Sequence, residues 1–205
     1  MNRNSPASIT LALLGSAVVL TACGDDTGGS GSSPATGSAT TSVVTGPPVA
    51  DEHNAADIRF AQEMIPHHRQ AVEMAALVPS HSTDPRVLDL AARIQQAQDP
   101  EITAMTGWLQ AWGAPVPEGT GHSGMDHGSM PGMMTAEDMA ELEAAQGAEF
   151  DRLWLTMMIA HHEGAVQMAR TELAEGSNPQ ARTMAQQIID AQQAEIQQMQ
   201  AMLEG

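Results

Sequence analysis

Displaced by 94 positions, the chain aligns with itself without a gap. Met64-Ile65-Pro66-His67-His68 falls on Met158-Ile159-Ala160-His161-His162, Ala71-Val72 on Ala165-Val166, and Met74-Ala75 on Met168-Ala169. Pro85 then matches Pro179, Glu101-Ile102 matches Glu195-Ile196, Met105 matches Met199, and upstream Asp57 matches Asp151. Eighteen of the 54 positions from Asp57 to Gln110 are identical to their displaced counterparts, too many for chance even in an Ala-rich helical chain. Whatever one copy folds into, the other folds into as well.

Each copy has the punctuation of two helices. The first helix begins near Asn54 and runs to about Leu77, and the stretch Pro79 to Thr83 makes a turn. Asp84 is then a ready N-cap with Pro85 at the first helical position, where its missing N–H costs nothing, and the helix continues to about Trp112 before Gly113 and Pro115. In the second copy Gly176 ends one helix and Asn178-Pro179 opens the next. Thr135 and Asp138 resemble a capping box for an extra short helix, and Gly147 marks the break before the long helix 148–175. Pro66 sits inside the first helix and predicts a bend there, although Ala160 holds the matching place. With two Phe, three Trp and no Tyr against 15 Met, the composition disfavours strands. Short turns force antiparallel neighbours, so the fold class is all-α, a four-helix bundle made of two duplicated hairpins.

The bundle accounts for residues 51–205, with a His/Met-rich loop at 113–134. Ahead of it, Arg3 and the apolar run from Ile9 to Leu20 read as a secretory signal at 1–22, too short to span a bilayer. Its ending, Leu20-Thr21-Ala22-Cys23, resembles a bacterial lipobox, which assigns lipidation to Cys23 and places the protein outside the cytoplasmic membrane as a lipoprotein. Residues 23–50 follow as a tether, because 19 of the 27 residues from Gly24 to Ala50 are Gly, Ser, Thr or Pro. The lone cysteine rules out an internal disulfide or a multi-thiolate metal site. A net charge of −17 without a single lysine removes nucleic acid from the partners.

On a helical wheel, Asp57, Ala61, Met64, His68, Val72 and Ala75 form one stripe, as do their counterparts Asp151, Leu155, Met158, His162, Val166 and Ala169. The wheel turns His68 and His162 inward and sets His67 and His161 toward the flank, on the side of Met74 and Met168. Met64 and Met158 stand one turn before the histidines of their own copies. Each His-His pair taken alone is more commonly core filling, and Met at helical spacing usually is. Two such pairs at matched levels point to a metal. Imidazole with thioether suits copper, Cu(I) before Cu(II), whereas zinc would bring thiolate or carboxylate and Mg or Ca would want oxygen. The loop segment 121–134 supplies His122, Met125, His127 and Met130 in a Gly-rich setting where methionine has no packing role. Asp57 and Asp151, almost three turns from the histidines, read as polar residues at the bundle ends.

The paired Met-Ile-Pro-His-His…Ala-Val-Glu-Met-Ala and Met-Ile-Ala-His-His-Glu-Gly-Ala-Val-Gln-Met-Ala segments resemble the family called domain of unknown function 305, over about Asp51 to Glu204. That resemblance implies an exported or lipid-anchored protein with a ferritin-like four-helix bundle and a role in copper binding and resistance. By it Met64, His67, His68, Met74, Met158, His161, His162 and Met168 carry the ligand assignment, with a copper-handling protein as a conceivable partner. It brings no established general activity with it, and no Ser or Cys sits in a nucleophile elbow. A rival is a non-metal helical module whose histidines sense pH. A second is a di-iron oxidase, weak because Glu-x-x-His is missing from both copies.

Overall fold

The computed structural model describes residues 52–118 and 130–205. The secretory signal, Cys23, the 23–50 tether and the loop residues His122, Met125 and His127 lie outside the described residues. The described residues form five helices, α1 (Ala55–His81), α2 (Pro85–Ala111), α3 (Ala136–Ala144), α4 (Gly147–Glu175) and α5 (Pro179–Glu204), and hold no strand.

The caps are where the sequence puts them. Asn54 accepts from the Ala56 and Asp57 amides in a reciprocal capping box, Asp84 and Asn178 cap α2 and α5 ahead of their prolines, and Thr135 with Asp138 boxes α3. The end of α1 differs from expectation. The helix runs four residues beyond Leu77 and passes Pro79, whose missing N–H removes one bond in the final turn. Tertiary contacts hold that turn: His81 donates through Nε2 to the Glu143 carbonyl of α3 and stacks on Phe150. Likewise α1 continues unbroken through Pro66, which is buried.

α1 packs on α2 and α4 on α5, the two hairpins meeting along an α1/α4 seam. That seam is antiparallel, since Asn54 Nδ2 donates to the Glu175 carbonyl at one end while the buried Trp154 indole donates to the Met74 carbonyl toward the other. Helices therefore run up, down, down, up. The α2-to-α4 connection must cross the length of the bundle, which is the ferritin-like arrangement. It does so alongside α1: Gln62 Nε2 donates to the Pro115 carbonyl, Arg69 to that of Pro117, Gln70 Nε2 to that of Met134, and His81 to that of Glu143.

Two apolar clusters fill the interior. One gathers Met74, Leu90, Ile94, Phe150, Trp154, Met158 and Met199. The other gathers Phe60, Met64, Ile65, Met105, Leu109, Met168 and Ile188. The duplication relates them, because Met64, Met105 and Met168 in one correspond to Met158, Met199 and Met74 in the other. The bundle end also behaves as expected for Asp57, whose carboxylate accepts from the Ser177 and Asn178 amides at the start of α5.

Candidate metal centre

All four paired histidines are buried: His67, His68 and His162 expose nothing and His161 exposes 1%. The wheel is corrected here. α1 has no free flank at this level, because α2, α4 and the crossover cover it on three sides, and residues 64–68 are buried without interruption. The imidazoles that meet across the hairpins are His67 and His161, with ring centroids 3.7 Å apart at 41°. His68 and His162 turn instead toward the partner helix of their own hairpin. His68 Nε2 donates to Glu101 on α2 at 2.7 Å, and His162 Nε2 donates to Glu195 on α5 at 2.8 Å.

Those two carboxylates were missed as site residues, although the signal is in the sequence. Each follows its histidine by 33 positions, and Glu101-Ile102 and Glu195-Ile196 are among the repeat identities. A carboxylate on Nε2 fixes that nitrogen as the N–H and leaves the Nδ1 lone pair free, the arrangement that commonly orients a metal-binding imidazole. The Pro131 carbonyl does the same for His67, accepting from its Nε2 at 3.1 Å. The Nδ1 atoms of His67, His68 and His162, together with both ring nitrogens of His161, have no hydrogen-bond partner. Buried polar nitrogens normally do. Burial above all, reinforced by the charge of neighbouring His68, lowers His67 to about 3, and burial with the same crowding of imidazoles holds His161 well below its usual range. Both rings are neutral at physiological pH.

The crossover is clamped against this cluster by an asymmetry within the repeat. Gln70 pairs with Met134 in both directions, its Oε1 accepting from the Met134 amide at 2.7 Å and its Nε2 donating to the Met134 carbonyl at 2.9 Å. Gly164, the counterpart of Gln70, gives the backbone room to pass: a Cβ there would lie 2.0 Å from the Pro131 oxygen. Gly132 opposes it at φ +76°, where a side chain would strike the Ala160 carbonyl.

The methionines flank the imidazoles rather than joining them in one group. Met64 and Met168 lie in one apolar cluster, Met74 and Met158 in the other, all buried, while Met130 is half-buried at the edge of the described crossover. Among the described residues no three His, Cys, Asp or Glu side chains gather to hold one ion. A di-iron carboxylate set is therefore not assembled there. Imidazole lone pairs and thioethers are what this interior offers a cation, a donor set suited to a soft metal. No described helix is long and apolar enough to cross a membrane.

Fold and interior together define a class: duplicated, ferritin-like helical bundles with a buried His/Met interior. The chain belongs to the family described as Domain of unknown function (DUF305), whose signature matches residues 57–203. Among solved structures it resembles a DUF305 protein of Streptomyces coelicolor, provisionally described as secreted, at 33% identity and a TM-score of 0.66 over 73% of this chain and 91% of that one. A DUF305 fragment from Deinococcus radiodurans matches at 32% identity and 0.66, over 74% and 97%. CopM in its Cu(II)-bound form matches at 33% identity and 0.62, over 72% and 95%, and CopM has also been solved with Cu(I). No functionally curated protein sequence matches the chain.

Proposed function

We propose that this is an extracytoplasmic, lipid-anchored protein that binds copper through His and Met for copper homeostasis or resistance. The observation that carries the proposal is the set of buried imidazoles with unpartnered ring nitrogens at the α1/α4 seam. A copper ion satisfies lone pairs that no donor in the fold reaches. Of the four rings His161 is the leading ligand, because neither of its nitrogens has another use, with His67 Nδ1 beside it. His68 and His162, oriented by Glu101 and Glu195, present further Nδ1 lone pairs. Met64, Met74, Met158 and Met168 supply thioethers from either side, which favours Cu(I) while imidazole also admits Cu(II). Copper-bound CopM and the provisionally secreted Streptomyces protein support the metal and the location. His122, Met125, His127 and Met130 form a separate, weaker capture segment, and Cys23 carries the lipid anchor. The pH-sensing rival loses its basis at the central pair, since a ring held at about 3 does not titrate near neutrality.

The test is metal analysis of the soluble domain after exposure to Cu(I), Cu(II), Zn and Fe(II) under controlled redox conditions, with thermal melting alongside. A ligand confined to the native state adds about 2.7 kcal/mol at 100 times its Kd. Cu(I) should raise the melting temperature, and His67→Ala/His161→Ala should abolish the shift while leaving a folded bundle. If that variant keeps the full shift, copper sits elsewhere.

A further inference from the structure

A cavity of about 140 Å³ opens between α1 and α4 on one side of the histidines, with room for several waters. Its wall includes Glu63, Pro131, Met168, Thr171 and Glu172, together with Arg59, whose guanidinium is paired with Glu175. Pro131 is the residue whose carbonyl holds His67, and Glu63 lies one helical turn before His67. Glu172 is 1% exposed, and neither of its carboxylate oxygens meets a hydrogen-bond donor. Its carboxyl, protonated until about pH 8, hydrogen-bonds to Asp57, which also accepts from Asn54, Ser177 and Asn178.

The repeat provides an internal control. The 94-residue displacement that relates the two ends of the seam turns Glu63 into Met157, Thr171 into Leu77 and Glu172 into Val78. At that other end these residues pack into the apolar core, and the Trp154 indole bonds across the seam to the Met74 carbonyl. One half of a duplicated seam is filled and apolar, and its counterpart is hollow, with two carboxyls and the Glu175-paired Arg59 on its wall. Bundle stability alone is served by the filled version.

Resting on the copper reading of the histidines, we propose that this cavity is the port through which the ion reaches them. Glu63 and Glu172 hold the incoming cation transiently, and the Met168 thioether is the soft donor that receives it next. The buried rings need such a route, because none of them touches solvent appreciably. A carboxylate in a low-dielectric cleft raises cation association rates, and Glu172, protonated until about pH 8, exchanges its proton for the entering ion. The two carboxyls do not add to the final site, so loading and release change together.

Rapid mixing with Cu(I) delivered from a weak chelator, paired with equilibrium competition, tests this. In Glu63→Gln/Glu172→Gln the loading rate should fall about tenfold while the equilibrium affinity stays within about threefold of wild type. Thr171→Trp, at an exposed position on the rim, should slow loading as well without touching a carboxyl. Glu141→Gln/Glu149→Gln removes two carboxyls from exposed positions on other parts of the bundle and should load normally. Wild-type loading by Thr171→Trp, or by the folded double variant, overturns the port, as does equal slowing in the Glu141/Glu149 control. Wild-type protein that takes up no copper overturns the reading of the histidine centre itself, a distinct result.

Discussion

At the scale of single residues, hydrogen bonds to one ring nitrogen decide what the other can do. Glu101 and Glu195 hold His68 and His162 as the Nε2–H tautomer. Glu101→Leu/Glu195→Leu should lower copper affinity about 10- to 100-fold with the bundle still folded, because ring orientation and basicity are lost together. Competition with a Cu(I) chelator gives the affinity, and ¹⁵N shifts of His68 and His162 report the tautomer. Protonation also leaves a mark on stability. His67 falls to about 3, so the apo protein loses stability as pH drops below 6.5 toward that value, where the unfolded chain takes up a proton that the folded ring refuses. Glu172 is shifted the opposite way. Burial first, then its hydrogen bond and repulsion with Asp57, push it up to about 8 from 4.5, so its contribution is complete below 4.5 and disappears as pH rises through 8. Asp57 itself ends lower than usual, since hydrogen bonds from Glu172, Asn178, Asn54 and Ser177 outweigh the cost of burial. Thermal melts of the apo bundle should peak near pH 6.5. In Glu172→Gln, whose amide donates to Asp57 at any pH, the alkaline decline should flatten.

At the scale of elements, the crossover and α4 approach so closely that they depend on two glycines. Gly164→Ala places a methyl against the Pro131 oxygen and should cost about 1–3 kcal/mol, relieved by moving the crossover rather than the longer helix. Gln70→Ala removes both bonds to Met134 and should free the same segment without a clash. In both variants, amide exchange at residues 132–134 should accelerate and the His67 ring should lose its fixed tautomer. If exchange there is unchanged in Gln70→Ala, the clamp is not what holds the crossover. The clamp also sets where the loop can be cut. Replacing residues 120–129 with Gly/Ser should reduce the copper bound but retain the tightest site, whereas extending the replacement through Met134 frees the backbone at 131 that positions the carbonyl orienting His67.

At the scale of the molecule, duplication provides two equivalent apolar clusters with the histidines between them. Trp154, fully buried and bonded across the seam, anchors one side, and Trp154→Ala should destabilise by about 3–5 kcal/mol in denaturant unfolding. The proposed anchor at Cys23 bears on how this bundle is displayed. Cys23→Ala should abolish lipid labelling and release the protein from the membrane fraction, and a mature wild-type protein without lipid would remove the anchor from the proposal.

The repeat, the capping residues and the proline positions were enough to determine two helical hairpins and hence the bundle, because those signals are local and each appears twice. They also singled out the four histidines. Which rings would meet was decided only by tertiary structure. A wheel assumes one buried face, and α1 is enclosed by two helices and the crossover, so His67 and His161 face each other while His68 and His162 turn to Glu101 and Glu195. The last turn of α1 depended in the same way on His81 meeting α3 and Phe150. The role of Gly164 against Gln70 was equally hidden, since the reason for a glycine lay in a backbone that passes more than thirty residues away in sequence. Long-range contacts of this kind are set by the path of the crossover, and no local propensity encodes that path.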